Sequence, residues 1–403
     1  MSGLLSSLTN CSSPGYKKLR IAVFNRTFSP TGGGAERYSI ALVEQLSAKH
    51  EIHVFAQEIS HNWPGVTYHQ VSAPLFKPRW INQLWFATAT WRATRHGFDV
   101  VHSHENTWHG NVQTVHVLPV KYNLFIGRNG WRLAFRWIKV VCSPRLLTYL
   151  GLECLRYAMH PGRQVVVTSD SLRTVMNSCY PNSGKMLSVI TPGITMPQSP
   201  VSLQRKGEAR VRLGLPVGLC TLLFVANDYR KKGFRALLEA LSQLPGDVVL
   251  AVVGNSAQIP LFSEQINNLK LHKRVFFLGP LKNVGIAYEA ADCLVHPTLE
   301  DTFGMVVLEA MAYGLPVVVS GPLYCGISGL LQHSINAMIL GDPKDVSNLH
   351  HTIEQIITQP ALRIQLILGG TDFALHYQWG EIALRQEALY FLSIEEKNAL
   401  KTQ

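Results

Sequence analysis

Short apolar runs alternate with segments of helical apolar spacing along most of the chain. The first half contains LRIAVFN, EIHVFAQ, DVVHSH, VQTVHV, RQVVVTSD and MLSVITPG, and the second contains CTLLFVA, DVVLAVVG, RVFFLG, DCLVHPT and LPVVVS. An apolar run followed by an amphipathic segment is typical of a βα unit. Repeated βα units indicate a parallel sheet covered by helices, so the pattern predicts an α/β fold.

The alternation is interrupted by a linker-like stretch, TPGITMPQSP, at 191–200. We therefore predict two Rossmann-like, doubly wound domains facing across a cleft, over residues 19–195 and 196–378. Residues 1–18 are predicted to be a flexible extension, and 379–403 a C-terminal helix that packs back on the first domain. Because ligands of such sheets bind at the carboxyl ends of the strands, the residues that follow each strand are the site candidates.

Composition narrows the class of protein. A hydrophobic fraction of 47% excludes a disordered chain, and the net charge of +11 calls for an anionic partner. Seven scattered cysteines without a C-x-x-C pair indicate reduced thiols in a cytosolic enzyme. No apolar run is long enough to predict a membrane-spanning helix.

Basic and aromatic residues are interleaved over residues 121–163, where eight Lys and Arg face the single acid Glu153. This pattern favours helices lying on an anionic membrane surface. The alternative is a helix pair packed on the first domain with a solvated basic edge. A nucleic-acid partner is not expected, because no helix-turn-helix, RNP or zinc-finger pattern is present.

Three acids interrupt an otherwise apolar stretch, HPTLEDTFGMVVLEAMAYGLPVVVS, at 296–320. A helix is predicted over FGMVVLEAMAYG, ended by Gly314 and Pro316. This helix is apolar on nearly every face, which predicts burial, so the carboxylate of Glu309 needs partners. Sugar or ribose hydroxyls would serve. Alternatively, a structural cation pairs with Glu309 while Asp301 or Thr302 caps the helix.

A cationic turn follows the strand CTLLFVA, in the stretch LLFVANDYRKKGFRALLEAL. Arg230, Lys231 and Lys232 precede Gly233 and a predicted helix. Cations at such a turn suit a diphosphate, whose charge grows as it departs. The alternative is a solvated basic turn.

A glycine-rich loop, SPTGGGAERY, follows the first strand and would allow the backbone close to a ligand. It is not G-x-G-x-x-G, so a dinucleotide site is disfavoured, and a purely structural turn is the alternative. Four histidines, His102, His104, His109 and His116, lie near the ends of two strands. They lack a clear third metal ligand, so we predict no metal site. No D-x-D and no G-x-S-x-G occurs.

The stretch DTFGMVVLEAMAYGLPVVVS resembles the E-x7-E signature of retaining glycosyltransferases of GT-B fold in family GT4, and a similar layout extends over residues 20–395. The resemblance implies that the first acid touches the donor sugar and that Glu309 holds the nucleotide ribose. The backbone amides of Phe303, Gly304 and Met305 would face sugar hydroxyls. Counting eight back from Glu309 reaches Asp301, with Glu300 as the neighbour that could substitute.

The resemblance also assigns the cationic turn to the donor diphosphate. Lys232 and Gly233 match the family's Lys-Gly pair. The family's arginine position falls near Asn227, which is a departure, so Arg230 or Lys231 is expected to supply the second charge.

In the first domain, the resemblance places Gly33 and Gly34 against the donor phosphate and the acceptor. It places His116 beside the transferring sugar, and His104 is expected on the acceptor side. Either histidine could instead be an ordinary polar residue at the end of a strand.

Together these features predict a retaining, metal-independent glycosyltransferase that moves a hexose from a nucleotide sugar, expected to be a UDP-sugar, to a glycolipid or lipopolysaccharide-core hydroxyl. No cofactor is expected, and the enzyme is placed in the cytoplasm, on the inner face of the membrane. The rivals are a soluble GT-B enzyme, such as a small-sugar synthase or a nucleotide-sugar epimerase, and a non-catalytic basic adaptor.

Overall fold

The computed structural model describes residues 17–30, 32–74 and 78–399. Nearly all of the predicted extension, 1–16, lies outside the described residues. The strands of the first half are β1 (Arg20–Phe24), β2 (Thr27–Phe28), β3 (Glu51–Ala56), β4 (Glu58–Ile59), β5 (Val66–Gln70), β6 (Val100–Ser103), β7 (Val112–Val115), β8 (Gln164–Val167) and β9 (Leu187–Val189). Its helices are α1 (Gly34–Leu46), α2 (Arg79–Thr94), α3 (Val120–Phe125), α4 (Gly130–Val141), α5 (Pro144–Arg156) and α6 (Asp170–Cys179).

The second half repeats the alternation. Its strands are β10 (Cys220–Ala226), β11 (Val248–Gly254), β12 (Val275–Gly279), β13 (Cys293–His296), β14 (Val317–Ser320) and β15 (Met338–Leu340). Its helices are α7 (Leu203–Leu213), α8 (Phe234–Gln243), α9 (Ser263–Asn268), α10 (Gly285–Ala290), α11 (Met305–Ala312), α12 (Val346–Thr358), α13 (Pro360–Leu375) and α14 (Trp379–Ala399). Short 3-10 turns lie at Pro181–Met186, Ser256–Leu261 and Gly326–Leu330.

Two parallel sheets organise the molecule, which confirms the predicted α/β class. The first sheet has the order β5-β3-β1-β6-β7-β8-β9 and the second β12-β11-β10-β13-β14-β15. Each sheet is doubly wound, because the chain runs outward from a central strand and then starts again on its other side. The direction reverses between β1 and β6 and between β10 and β13, and ligand crevices form at such reversals.

The chain crosses between the two sheets twice, and the two crossings are paired with each other. Ile194 donates its backbone N–H to the carbonyl of Tyr377 at 2.7 Å, and Trp379 donates to the carbonyl of Ile194 at 3.3 Å. After the second crossing, α14 packs against α1, and its residues Ile382, Leu389 and Tyr390 join the core of the first domain.

Two strands of the large sheets were not predicted. The residues of β5, VTYHQ, are exposed or half-buried, since β5 forms an edge of the first sheet, and they carry no continuous apolar run. The edge strand β15 has three residues. The basic segment 121–163 contains three helices, α3, α4 and α5. The six cysteines of the described residues are free.

Candidate active site

A cleft of about 820 Å³ separates the carboxyl edges of the two sheets. One wall comes from the loops after β1, β7, β8 and β9, and the other from the loops after β10, β11, β12 and β13. This is where the two chain reversals lie, so the polar residues that follow central strands of both domains meet in one space.

The carboxylate of Asp301 is held inside the second domain by three donors. Its Oδ2 accepts from Lys232 Nζ at 2.7 Å and from His296 Nε2 at 3.1 Å, while Oδ1 accepts from the N–H of Phe303 at 3.2 Å. Burial alone would raise the pKa of Asp301, but the hydrogen bond from His296 and the charge of Lys232 outweigh it and lower the pKa below its ordinary value. Asp301 is therefore a fixed negative charge at neutral pH.

Gly233 brings the cationic turn against the loop of Asp301. Its φ is +77°, and a Cβ there would lie 1.9 Å from the carbonyl oxygen of Pro297. Glycine tolerates both this conformation and this approach. The result is that Lys232 also donates to the carbonyl of Glu300, at 2.9 Å. Two motifs that are separate in the sequence thus form one contact network.

Glu309 lies in the second turn of the buried helix α11, and its two oxygens have different partners. Oε1 accepts from Arg37 Nη1 of the first domain at 2.6 Å, and Oε2 accepts from the hydroxyl of Tyr288 at 2.6 Å. The charge of Glu309 raises the pKa of Arg37, and burial is the main cause that raises the pKa of Tyr288. Neither partner was identified from the sequence.

Two helix N-termini open into the cleft from opposite sides. Helix α1 begins at Gly34, next to Gly33, and α11 begins at Met305 after Gly304. A Cβ on Gly34 would lie 3.4 Å from the sulfur of Met305, so the two ends are adjacent. The first N–H groups of a helix lack intrahelical partners, and the helix dipole adds positive potential there. Both ends are suited to bind the oxygens of an anionic ligand.

His116 follows β7 and lines the cleft, with His104 on its far side. Nε2 of His116 lies 2.8 Å from Nδ1 of His104, the two rings stack, and Tyr38 packs edge-on against His116. Burial, followed by the charge of Arg156, lowers the pKa of His116 to about 3, and burial also lowers that of His104 well below its ordinary value. Both imidazoles are therefore neutral at physiological pH.

The remaining predicted residues divide into those that line the cleft and those that do not. Asn227, Lys231 and Glu300 line it, with Lys231 and Glu300 forming an exposed ion pair at 2.7 Å. Arg230 and His104 do not. Arg230 is exposed because the turn presents the two lysines to the cleft instead, and His104 is buried behind His116. The structure therefore does not bring either residue to the predicted donor or acceptor contact.

Two family models match the chain, one for each sheet. The model described as Glycosyltransferase Family 4 matches residues 32–196, and the one described as Glycosyl transferases group 1 matches residues 206–371. Together they account for most of the chain. The chain belongs to the group 1 glycosyltransferases of family 4.

Relatives and solved structures agree with this membership. A D-inositol 3-phosphate glycosyltransferase of Xylanimonas cellulosilytica is 25% identical over 96% of this chain and 100% of the relative. The lipopolysaccharide glucosyltransferase WaaG of Escherichia coli K12 is 24% identical over 58% of this chain and 63% of its own length.

Among solved structures, WaaG has a TM-score of 0.78 at 19% identity, covering 92% of this chain and 99% of that one. HepE of Anabaena, in complex with UDP-glucose, has a TM-score of 0.70 at 18% identity, again covering 92% and 99%. These likenesses show that this glycosyltransferase has the GT-B fold.

One group of side chains in the described part of this glycosyltransferase could hold a metal ion. Ligand atoms of His296, Asp301 and Cys325 lie within 4.8 Å of one another. However, Lys232 Nζ already contacts the same Asp301 oxygen as His296. A divalent cation would therefore have to displace the ammonium or bind beside a like charge.

Helix α4 of the glycosyltransferase presents an aromatic surface to solvent. Trp131 and Phe135 are 68% and 64% exposed, and Arg132, Arg136 and Lys139 are interleaved with them. Contiguous exposed apolar surface is unusual on a protein that stays in water and marks an interaction site. No helix among the described residues is both long and apolar enough to span a bilayer.

Proposed function

We propose that this glycosyltransferase is a retaining enzyme that transfers a hexose from a nucleoside diphosphate sugar to a hydroxyl of a glycolipid or lipopolysaccharide-core acceptor. The observation that carries the proposal is the placement of Asp301 and Glu309, eight residues apart, in one cleft. Each is paired with a cation, Lys232 or Arg37, beside the N-termini of two helices.

In the proposed reaction, the bond between the anomeric carbon and the diphosphate oxygen breaks while the acceptor oxygen bonds to the same face of that carbon. The hydroxyl proton passes to an oxygen of the departing diphosphate, so no side-chain nucleophile is required. Lys232 stabilises the growing negative charge. Phe303 donates its N–H to Asp301, whereas the N–H groups of Gly304 and Met305 have no hydrogen-bond partner among the described residues and would face the sugar. His116, being neutral, contributes a hydrogen bond rather than a charge.

The donor is tested most directly by a thermal-shift series with UDP-, GDP- and ADP-sugars. A ligand that binds the native state raises Tm, and 100 Kd of free ligand stabilises by about 2.7 kcal/mol. We expect the UDP-sugar to give the largest shift, as the solved complex of HepE with UDP-glucose suggests for this fold. Transfer of labelled hexose to a glycolipid acceptor completes the test. Absence of any nucleotide-dependent shift would contradict the proposal.

A membrane-surface acceptor is favoured by helix α4, whose aromatic side chains and cations suit the interface of an anionic bilayer. Vesicle flotation should recover the enzyme with anionic lipid and much less with neutral lipid. The double variant Trp131→Ser/Phe135→Ser should abolish recovery. Leu203→Ser, which removes an 88% exposed leucine from α7 of the other domain, is the matched control. Equal recovery of all variants would remove this surface from the proposal.

A second candidate is a small phosphorylated acceptor, favoured because a relative that matches 96% of this chain is named for D-inositol 3-phosphate. Product analysis with a labelled donor, offering a glycolipid and inositol phosphate in competition, separates the two. If transfer and donor hydrolysis were both unmeasurable while Glu309→Ala left ligand binding intact, the chain would instead be a binding protein with a GT-B frame.

A further inference from the structure

The positively charged side chains of the cleft differ in how fully they are already paired with acceptors of the protein. Lys231 is paired with Glu300, and Lys232 is held by both Asp301 and the carbonyl of Glu300. Asn227, which follows β10 and lines the cleft, is neutral. Arg230 is charged but does not line the cleft. Lys231 and Lys282 also line the cleft, but both are exposed, so the one half-buried ammonium that a diphosphate would meet beside this turn is Lys232, which is already partly neutralised.

The opposite wall supplies the missing charge. Among the described residues that line the cleft, Arg37 is the only arginine and the only Lys or Arg from the first domain. It lies in the first turn of α1, three residues after Gly34, so the helix N-terminus and the guanidinium present positive charge to the same space.

The guanidinium is held in place and still has donors to spare. It makes one hydrogen bond, from Nη1 to Glu309, among the described residues, and its side chain is 31% exposed. A guanidinium carries five N–H donors in a planar fork that matches phosphate oxygens. Glu309 thus orients Arg37 at one nitrogen and leaves the rest of the fork open to the cleft.

We propose that Arg37 binds the diphosphate of the donor and stabilises it as it leaves. The inference rests on the proposed function, and it makes the second cation of the leaving-group site a residue of the first domain. The diphosphate is then bound between Lys232 on one wall and Arg37 on the other. Glu309 acts on the diphosphate through Arg37, as a positioning residue, in addition to any contact with the nucleoside.

The test compares a nucleoside diphosphate with its nucleoside, because the two differ only in the phosphates. UDP and uridine, GDP and guanosine, and ADP and adenosine are offered to the wild-type protein, and the pair whose diphosphate binds most tightly is carried forward. Calorimetry measures the diphosphate, and ligand-observed NMR competition measures the weaker nucleoside. Circular dichroism and Tm establish that each variant is folded.

We expect Arg37→Gln to weaken the diphosphate by roughly 10- to 100-fold and the nucleoside by no more than about 2-fold, since hydrogen bonds to charged groups contribute about 1.5–3 kcal/mol. Arg37→Lys, which keeps the charge and loses the fork, should lie between. Arg173→Gln, an exposed arginine on α6, is the matched control and should change neither affinity.

Three results would overturn the inference, and they differ in meaning. If Arg37→Gln weakens nucleoside and diphosphate equally, Arg37 only neutralises Glu309. If it changes neither affinity, Arg37 does not contact the donor, while the proposed function stands. If the wild-type protein binds none of the three diphosphates, the proposed function fails and the inference fails with it.

Discussion

The two acids of α11 and its preceding loop are held in opposite ways. Asp301 pairs with Lys232 of its own domain, 69 residues away in the sequence, and its other partners, His296 and Phe303, are close neighbours. Glu309 pairs with Arg37 of the other domain, 272 residues away. The contacts of Asp301 are complete within the second domain, whereas the pairing of Glu309 with Arg37 exists only when the two domains are close together.

This difference indicates that Asp301 and Glu309 have different roles in the site. Groups that stabilise charge in a transition state are most effective when they are fixed in advance, and Asp301 with Lys232 meets that condition inside a single domain. A contact that spans two domains can instead report whether the cleft is closed. We therefore expect the first acid to affect mainly the chemical step and the second to affect mainly donor binding.

The largest effect should come from Asp301→Asn. This change keeps the shape of the side chain but removes the charge that faces Lys232, and we expect kcat to fall roughly 100- to 1,000-fold. Glu300→Gln, which affects an exposed ion pair with Lys231, should stay within about 5-fold, because such pairs contribute about 0–1 kcal/mol. A larger loss from Glu300→Gln would show that Glu300 is the first acid of the motif.

Glu309→Gln should raise the donor KM by about 10- to 100-fold with a smaller change in kcat, because it removes a hydrogen-bonded charge pair between the domains. A cycle with Arg37→Gln should give a coupling of about 1–3 kcal/mol. A fall in kcat at unchanged KM would contradict the division of roles proposed above.

Stability should fall as the pH is lowered, and the cause should lie in the first domain. Burial lowers the pKa of His102 and of His116 to about 3 each, so between that value and about 6.5 the unfolded chain binds more protons than the folded one. From about pH 6.5 to about pH 5, each histidine should therefore lower the free energy of unfolding by about 2 kcal/mol.

Asp301 contributes with the same sign but in a lower pH range. Its lowered pKa contributes stability that is present above its unfolded value near 3.9 and is lost only as the pH falls below it. Urea titrations at about pH 7, 6 and 5 should thus show a smaller pH slope for His102→Gln than for wild type. Asp301→Asn should not reduce the slope in this range, because loss of its charge would lower the pKa of His296 further. A reduced slope would place the proton uptake at the second domain.

Among the changes at the contacts of Glu309, the smallest effect is expected for Tyr288→Phe. It removes the hydrogen bond to Glu309 Oε2 but leaves the pairing with Arg37, so we expect about 1 kcal/mol, or a 3- to 10-fold rise in donor KM. An effect as large as that of Glu309→Gln would show that Tyr288, and not Arg37, holds the carboxylate in its working position.

Features that depend on the residues of one strand or one helix could be predicted from the sequence. Strand β10 matched its apolar run CTLLFVA residue for residue, and α11 was identified from its apolar faces and its terminal glycine. The position of Trp131 and Phe135 on one face of α4 follows from their helical spacing, whereas their exposure is seen only in the structure. The loops with Asp301 and Lys232 were singled out because both follow predicted strands, and the resemblance to family GT4 selected these two residues within them.

Contacts between distant parts of the chain could not be predicted in this way. The glycine-rich loop was identified as a candidate, but Arg37, in the first turn of the helix that follows, has the pattern of an ordinary surface charge. The role of Arg37 becomes visible only in the structure, where the two domains place it against Glu309. The burial of His104 behind His116 was not predicted for a similar reason. The sequence of a histidine that follows a strand is the same whether its side chain faces the cleft or lies beneath another residue.

The paired crossings between the domains have a mechanical consequence. The two connecting segments lie side by side and are hydrogen-bonded through the backbone of Ile194, so the domains are joined by a paired connection rather than by one free strand of chain. We expect the domains to rotate about the line of this connection. Trp379 lies at this pairing and packs against Tyr38, which also packs against the rings of His116 and His104. We therefore expect a rotation of the domains to shift the ring of Tyr38 and, through it, the position of His116.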